Sequence, residues 1–256
     1  MKTDMAYRLV DSHTHILPGM DDGPASADES AQMLARLAEQ GVAAAALTPH
    51  YFHYYEPLAD FLSRRDEALR VIRPLADEAG VRLIPASETY FTEDLLYEPG
   101  LDELCYEGTS LLLTETPFNC AFSARDIALY GRLAVNRGVT PVLAHIERYP
   151  ALLNSEKLLA ELREMGCLAQ VNISSFAEGG RSVRKRLARL LTGGFITFIG
   201  TDCHGMTGRP PEYEGPMALL FKKPGGDFMV EFLNNMARLL LPAPRLDAAA
   251  PGPRYE

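Results

Sequence analysis

The chain has 256 residues, a length that suits one large α/β domain. Its 47% hydrophobic and 23% charged residues are typical of a globular protein, and they exclude collagen-like, coiled-coil and wholly disordered chains. With 25 Lys and Arg against 34 Asp and Glu, the formal net charge is −9, which repels phosphate backbones. We therefore expect no nucleic-acid partner.

The cysteines and the first residues bear on the compartment. Four cysteines lie far apart with no CxxC pair, as in proteins whose thiols stay reduced. The start of the chain carries Asp4, Arg8 and Asp11 where a signal peptide needs an apolar run. The sequence also has no apolar stretch that approaches the length of a membrane span. We expect a cytoplasmic protein.

Short apolar runs alternate with longer segments of helical periodicity, which predicts βαβ units around a parallel sheet. The predicted strands are Arg8–Asp11, Val42–Thr48, Arg82–Ser87, Ser110–Thr114, Thr140–Ala144, Leu168–Val171 and Phe195–Gly200. The predicted helices are Ala27–Gln40, Leu58–Glu78, Arg125–Asn136, Lys157–Met165, Val183–Thr192 and Phe228–Leu241. Glycines at 41, 80, 138 and 166 follow helices, as left-handed helix stops do. The Pro- and Ala-rich residues 242–256 are predicted to be a flexible tail after a single domain spanning 1–241.

Imidazoles and carboxylates recur just after the predicted strands. In a parallel barrel all these strand ends open onto one face, so residues far apart in sequence would converge there. A His-x-His pair also points both rings to the same side of a strand. The predicted cluster contains His13, His15, His50, Glu88, Glu115, His145, Asp202 and His204, with Asp22 on a loop over its mouth.

This mixture of imidazoles and carboxylates, with no cysteine required, is typical of sites for Mn²⁺, Fe or Zn²⁺ rather than Ca²⁺. The four carboxylates carry a charge of about −4, which two divalent ions would neutralise and three would reverse to about +2. We predict two or three divalent metal ions. Such a locally positive pocket suits an anionic substrate.

Several segments carry a family resemblance: DSHTHILPGMDDGP, TPHY, the Glu of ASETYF, AHIERYP and TDCHGMTGRPP. Together they resemble the polymerase and histidinol phosphatase (PHP) family of metal-dependent phosphoesterases. Within it, they are most similar to the CpsB/YwqE-type bacterial protein-tyrosine phosphatases of capsule and exopolysaccharide loci. The likeness spans roughly residues 8 to 241 and implies a single-domain α/β fold, a distorted TIM-like barrel of about seven parallel strands.

The resemblance also implies a chemistry. It assigns the nine residues above as ligands of a metal cluster that is usually supported by Mn²⁺, and it assigns Arg148 and Arg209 to the substrate phosphate. The expected reaction is hydrolysis of phosphotyrosine by a hydroxide held between metal ions. The expected substrate is a membrane-associated tyrosine autokinase that controls capsule or exopolysaccharide synthesis. A phenol with a pKa of about 10 leaves readily, so a strong general acid is less needed; Asp202 and His50 are the candidates.

Alternatives stay open at this point. The same fold could act on histidinol phosphate or on nucleic-acid ends, or hold metal as a noncatalytic regulator. Cys203 through Arg209 also spells C-x5-R, the loop pattern of cysteine-dependent tyrosine phosphatases. However, Arg209 precedes Pro210, and a residue before proline is disfavoured in the helix that such loops need.

Other features have less specific interpretations. The basic run over 181–189, which contains Arg181, Arg184, Lys185, Arg186 and Arg189, is expected to be a solvated helix face. Its alternative is a docking surface for an acidic, tyrosine-rich tail or for anionic lipid, which would imply peripheral membrane proximity. His53 falls outside the strand-end pattern, so a packing or surface role is expected. Asn172 receives no role, and a homo-oligomer is left open.

Aromatic residues follow His50 directly. Tyr51, Phe52, Tyr54 and Tyr55 are candidates to line the substrate mouth and stack on a phosphotyrosine ring, with packing under a loop as the alternative.

Overall fold

The seven predicted strands are present as seven passes of the chain, and nearly all of their residues are buried because both faces of the sheet are covered. The computed structural model describes residues 7–241, so the predicted tail at 242–256 lies outside the described residues. The strands are β1 (Leu9–Thr14), β2 (Val42–Leu47), β3 (His50–Tyr51), β4 (Arg82–Pro85), β5 (Glu88–Tyr90), β6 (Leu111–Glu115), β7 (Thr140–Leu143), β8 (Leu168–Asn172) and β9 (Phe198–Gly200). Two predicted strands thus continue, after a break of two residues, into the short strands β3 and β5.

Every strand pair is parallel. The strand orders are β1-β2-β4 and β3-β5-β6-β7-β8-β9. Backbone hydrogen bonds from Ala86 to Leu47 and from Glu88 to Pro49 join the two parts into one curled surface. An isolated bridge between Thr14 and Cys203 brings the chain after β9 back to β1. The curled parallel sheet confirms the predicted distorted barrel, and its strands end on one rim.

Helices connect the strands. They are α1 (Ala27–Glu39), α2 (Leu58–Ala79), α3 (Ala124–Arg137), α4 (Pro150–Leu153), α5 (Glu156–Glu164), α6 (Ser175–Glu178), α7 (Arg181–Thr192), α8 (Glu214–Leu220) and α9 (Gly226–Leu240). The six predicted helices all form, with ends shifted by at most two residues. The sequence pattern did not predict α4, α6 and α8, because they are too short to show a helical period.

Helix ends follow the expected local chemistry. Ser123 and Asp126 form a capping box at the start of α3. The glycine at 80 ends α2 with φ 72, and that at 138 ends α3 with φ 67, both left-handed as predicted. These stops return the chain to the sheet within two residues, so the next strand begins at the amino-end face.

The core between sheet and helices is dominated by aliphatic side chains, with a few buried aromatic ones such as Tyr106 and Phe198. The Tyr106 hydroxyl donates to the Ser12 carbonyl at 2.8 Å, so its buried polar atom is satisfied. Among residues 7–241, no helix is both long and apolar enough to cross a bilayer.

We expect Leu112→Ala in β6 to lower the free energy of unfolding by about 2–5 kcal/mol, because this fully buried side chain would leave a cavity. Urea unfolding at fixed metal concentration measures the change. The control is Val135→Ala, since Val135 is 82% exposed and its loss should change the value by less than about 0.5 kcal/mol. Equal effects would contradict the assignment of β6 to the core.

Candidate metal centre

The predicted cluster residues lie together at the carboxyl-end rim of the curled sheet. His13 is in β1, while His50 and Glu88 begin the short extensions β3 and β5. Glu115 ends β6, and His145 follows β7 by two residues. The structure brings all nine predicted ligand residues into one network of contacts: His13, His15, Asp22, His50, Glu88, Glu115, His145, Asp202 and His204.

The centre of this network is formed by His13, His15, Glu88 and Asp202, all buried. The Nε2 atoms of His13 and His15 face each other at 3.1 Å. Glu88 Oε2 lies 3.1 Å from His13 Nε2 and 3.3 Å from His15 Nε2. Asp202 Oδ1 lies 3.4 Å from both nitrogens. Two imidazoles and two carboxylates aimed at one point form the donor set of a divalent cation site.

A second group extends from Glu88 toward Glu115. His145 Nε2 lies 2.7 Å from Glu88 Oε1 and 3.9 Å from Glu115 Oε2. On the other side, His50 Nδ1 lies 3.3 Å from Glu88 Oε2 and 3.2 Å from Glu115 Oε1. Glu88 thus belongs to both groups: its Oε2 faces His13, His15 and His50, and its Oε1 faces His145.

The third group lies at the mouth. Asp22 Oδ1 is 3.2 Å from His204 Nε2 and 3.7 Å from His50 Nε2, and a donor atom of His15 completes the set. Asp22 is exposed, so this group borders solvent.

Buried ring nitrogens without a hydrogen-bond partner support the fit of this cluster to divalent cations. Buried nitrogens His50 Nδ1 and His204 Nε2 have no hydrogen-bond partner among the described residues, although each faces a carboxylate. A buried polar atom without a partner is costly, and a cation between the nitrogen and the carboxylate would satisfy it.

For two of the candidate ligands, Asp202 and His204, the electrostatics of the centre favour the charge state that binds metal. Burial opposes ionisation of Asp202, but the charges of His13 and His15 hold the pKa of that carboxyl well below its usual range. Burial, reinforced by His15, lowers the pKa of His204 to about 4, so this ring is neutral and its lone pair is free. An ionised carboxylate and a neutral imidazole are the forms that bind metal.

Asp21 was missed by the sequence analysis, which chose only Asp22 from the Asp-Asp pair. Its Oδ2 accepts hydrogen bonds from His15 Nδ1 at 2.6 Å and from the His50 backbone N–H at 2.9 Å. The carboxylate thereby fixes the ring of His15 with Nε2 directed to the centre. The adjacent acid was the available signal, since ligating histidines commonly donate their other nitrogen to a carboxylate.

Amides on β8 orient the ligands from beneath. Gln170 Oε1 accepts from the His145 backbone N–H at 2.6 Å. Asn172, to which the sequence assigned no role, donates from Nδ2 to Asp202 Oδ2 at 2.8 Å. These contacts leave Asp202 Oδ1 free to face His13 and His15.

The backbone is unusual at two ligand positions. His145 has φ 33 and Asp202 has φ 54, left-handed values that non-glycine residues rarely adopt. Such conformations persist where surrounding contacts over-determine them, and they are common at functional sites.

Backbone hydrogen bonds join β1 to the chain just after β9, and we call this contact the seam. It holds Asp202 beside His13. The backbone N–H of Asp202 donates to His13 O at 2.8 Å, and that of His15 donates to Cys203 O at 2.9 Å. Gly200 lies so close that a Cβ there would be 2.7 Å from the His13 nitrogen. Asp11 accepts from the hydroxyl of Thr201 across the seam at 2.7 Å, and burial raises its pKa to about 6.

Both predicted arginines reach the edge of the centre. Arg148 Nη2 lies 2.6 Å from Asp202 Oδ2. Arg209 Nη2 lies 2.8 Å from Asp22 Oδ2, and its Nη1 lies 3.7 Å from Asp202 Oδ2. Each guanidinium is between a third and two fifths exposed, so both face solvent above the clustered ligands.

Residues 9–241 match the family model described as "Capsular polysaccharide synthesis, CpsB/CapC". This chain belongs to the CpsB/CapC family. It is 30% identical to the tyrosine-protein phosphatase CpsB of Streptococcus pneumoniae over 244 residues, which cover 91% of this chain and 98% of that protein. It is 26% identical to the tyrosine-protein phosphatase YwqE of Bacillus subtilis strain 168 over 237 residues, which cover 91% of each.

Solved structures agree with this placement at the level of the fold. One from work on YwqE of Bacillus subtilis and CpsB of Streptococcus pneumoniae, called unique metal-dependent tyrosine phosphatases, has a TM-score of 0.78 and 24% identity. The match covers 91% of this chain and 94% of that one. The phosphotriesterase homology protein of Escherichia coli has a TM-score of 0.53 and 13% identity, covering 92% and 98%. The CpsB/CapC chain therefore shares the TIM-like fold of these two structures.

The cysteine alternative does not fit this CpsB/CapC structure. Cys203 is fully buried and paired with Thr14 in the sheet, and burial raises the pKa of its thiol well above the usual value. The next helix, α8, begins five residues after Arg209, so the segment lacks the helix that a cysteine phosphatase loop needs.

His53, for which a packing or surface role was predicted, lies apart from the centre, and so does Tyr51. His53 Nε2 contacts the Thr92 hydroxyl at 3.3 Å. Tyr51 is fully buried against Phe61. The suggestion that Tyr51 lines the mouth is therefore wrong, because alternation along β3 turns its side chain toward the core.

For the CpsB/CapC chain we expect Asp21→Asn to weaken Mn²⁺ affinity about 10- to 100-fold, because His15 would lose the anion that orients and polarises its ring. Competition with a chelator measures the affinity. Asp28→Asn, an exposed change in the first turn of α1, is the charge-matched control and should leave it unchanged. Equal affinities for Asp21→Asn and the unmodified chain would exclude this orienting role.

Proposed function

We propose that this chain is a metal-dependent phosphatase that removes the phosphoryl group from phosphotyrosine on proteins. The observation that carries the proposal is the convergence of five histidines and four carboxylates at one rim, with two arginines at its edge. The CpsB/CapC family and its curated tyrosine-protein phosphatase relatives support the same activity. We further propose two or three divalent cations, with Mn²⁺ the expected ion.

The nine clustered residues would hold the cations through the three groups described above. Divalent cations, when bound, activate water as a nucleophile and stabilise negative charge on the leaving oxygen. The protein's own contribution is to fix their positions, with His15 oriented by Asp21 and Asp202 oriented by Asn172. Hydrolysis by this route needs no covalent bond to the protein.

Arg148 and Arg209 would bind the nonbridging oxygens of the substrate phosphate. Both now contact carboxylates, and a phosphate dianion offers the same geometry to a guanidinium fork. Of the two candidate acids, Asp202 is the less suited, because Arg148 and Asn172 already occupy its outer oxygen. His50 is one fifth exposed and borders the mouth, and its Nε2 could protonate the leaving phenolate only if Nδ1 alone binds a cation.

Aromatic rings flank the mouth on two sides, which favours an aryl phosphate. Phe52 lies 5.5 Å from the ring of His50 and packs against Tyr54 and Tyr90. On the other side, half-exposed Phe118 lies 5.6 Å from the ring of His145 and 6.0 Å from the guanidinium of Arg148. A phenyl ring that carries the phosphate would be bound between apolar faces.

For the natural substrate, we propose a membrane-associated tyrosine autokinase that controls capsule or exopolysaccharide synthesis. The family description, capsular polysaccharide synthesis, supports this assignment. A tyrosine autokinase of a capsule or exopolysaccharide system, phosphorylated in vitro, is the direct substrate to test.

A metal-depleted preparation should be inactive and should recover on titration with Mn²⁺, with Fe²⁺ and Zn²⁺ compared in parallel. We expect kcat/KM to be highest for a phosphotyrosine peptide, compared with histidinol phosphate and a phosphorylated oligonucleotide end. A preference for either of the last two, or full activity without added cation, would contradict the proposal.

One substitution separates the metal mechanism from the cysteine mechanism, and a second tests the contact of Arg148 with the phosphate. Cys203→Ala should keep kcat within about threefold, because the buried thiol takes no part in hydrolysis. Arg148→Lys should lower kcat/KM about 10- to 100-fold, because lysine lacks the forked donor. Initial rates with saturating Mn²⁺ measure both. An inactive Cys203→Ala variant that folds and binds Mn²⁺ normally would restore the cysteine mechanism.

A further inference from the structure

A cleft of about 730 Å³ lies beside α7, where the chain passes from α8 to α9. Six cationic side chains line it, and all are exposed. They form the basic cleft: Arg181, Arg184, Lys185, Arg189, Lys222 and Lys223. Four come from α7 and two from the turn between α8 and α9, so two separate segments form the cationic walls of the cleft.

Five of these six cations lack an acidic partner among the described residues. Within residues 7–241, Arg189 makes a 3.6 Å ion pair with Glu156, and the other five have no carboxylate within 4.0 Å. None of the described residues that line the cleft is acidic. In a chain with a net charge of −9, this is a local reversal of sign, and the mutual repulsion of six cations favours binding of an anion.

The floor of the basic cleft is apolar. Phe176, Ala188, Leu219 and Pro224 line it, and Leu219 is 44% exposed. A small inorganic anion would leave this surface open to water. A ligand that fits both parts carries apolar groups beside negative charges.

The basic cleft begins next to the candidate metal centre. Phe176 follows Ser175, whose hydroxyl donates to Glu147 Oε1 at 3.1 Å. The same oxygen accepts the backbone N–H of Asn172 at 3.0 Å, and Asn172 in turn holds Asp202. Glu147 is also the neighbour of Arg148 in sequence. The Phe176 end of the cleft is therefore connected to the candidate metal centre through Ser175, Glu147 and Asn172.

We propose that the basic cleft binds an acidic polypeptide segment that flanks the phosphotyrosine of the substrate. The inference rests on the proposed function, since it names how that substrate is selected. Glutamates or aspartates contact the two cationic walls, and an apolar side chain packs on the floor. A cleft lined by cations from two segments and by apolar side chains suits an extended acidic chain, whereas a flat bilayer would meet only its outermost residues.

The test pairs one substitution from each wall, Arg184→Glu and Lys222→Glu, in the metal-loaded full chain. KM is measured for two phosphotyrosine peptides that differ only in flanking Glu or Gln, and for p-nitrophenyl phosphate. We expect KM for the Glu peptide to rise about tenfold at low ionic strength, and this difference to disappear at high salt. KM for the Gln peptide and for p-nitrophenyl phosphate should change less than about twofold.

The charge-matched control is Arg70→Glu with Arg73→Glu on α2, since both residues are exposed and have no ion pair among the described residues. It should leave all three KM values within about twofold. An equal rise for both peptides, or no rise for the Glu peptide, overturns the proposal. If the double variant instead loses binding to phosphatidylserine vesicles while its peptide KM values stay unchanged, the surface binds membrane and the peptide assignment is wrong.

A binding assay separates this proposal from the phosphatase assignment. Fluorescence anisotropy of a labelled, unphosphorylated Glu-rich peptide should report binding to the unmodified chain and about tenfold weaker binding to the wall variant. If no aryl phosphate is hydrolysed but this difference is found, the proposed function fails and the acidic-segment site stands. If hydrolysis occurs without the difference, the reverse conclusion follows.

Discussion

The geometry of the site depends on a short seam of backbone hydrogen bonds where the chain after β9 meets β1. This seam joins positions almost 190 residues apart and aligns the His-x-His of one strand with the Asp-x-His of the other. Without it, each pair would be an isolated two-ligand fragment. With it, His13, His15 and Asp202 meet at distances close to 3 Å. The contacts that close the sheet therefore also bring the residues of the centre together.

That closure concentrates acidic groups in one place. Glu88 and Asp202 are almost completely buried, with Glu115 beside them, and Asp21 and Asp22 approach from the loop. Imidazolium charges can compensate these acids in part, as the lowered pKa of Asp202 indicates. Divalent cations would compensate them more completely and with directed bonds. Folding of the rim and metal binding should thus be thermodynamically coupled, so that each stabilises the other.

The sequence predicted which residues converge at the rim, because the prediction depended only on their positions after strands. Rare residue types recurred at strand ends, and parallel topology makes strand ends meet, so even ligands as distant as His13 and His204 could be grouped without knowing any side-chain conformation. Strand positions followed from apolar runs, and helix stops followed from glycines such as the one at 80. Each of these features can be recognised from a single residue type or from the periodicity of apolar residues.

The features that the sequence did not reveal depend on three-dimensional detail. Asp21 and Asp22 are chemically identical neighbours, and only loop geometry decides which one supports His15. Asn172 gains its role from a strand that lies beside it only after folding. For Tyr51 the sequence left a position at the mouth and a packed position open, and the strand pleat selects the packed one. The two breaks that generate β3 and β5 likewise leave no periodic signal in segments of two and three residues.

Gly200 sets a limit on how this site could diverge. Any side chain at that position would meet the backbone and Cβ of His13 at 2.7 and 2.8 Å, so even alanine would push the last strand away from the first. Substrate range in descendants of this protein therefore has little freedom to change by remodelling the floor of the centre. Exposed positions of the surrounding loops and outer helices are free of this constraint, so new residues there can alter which molecules arrive without separating the clustered groups.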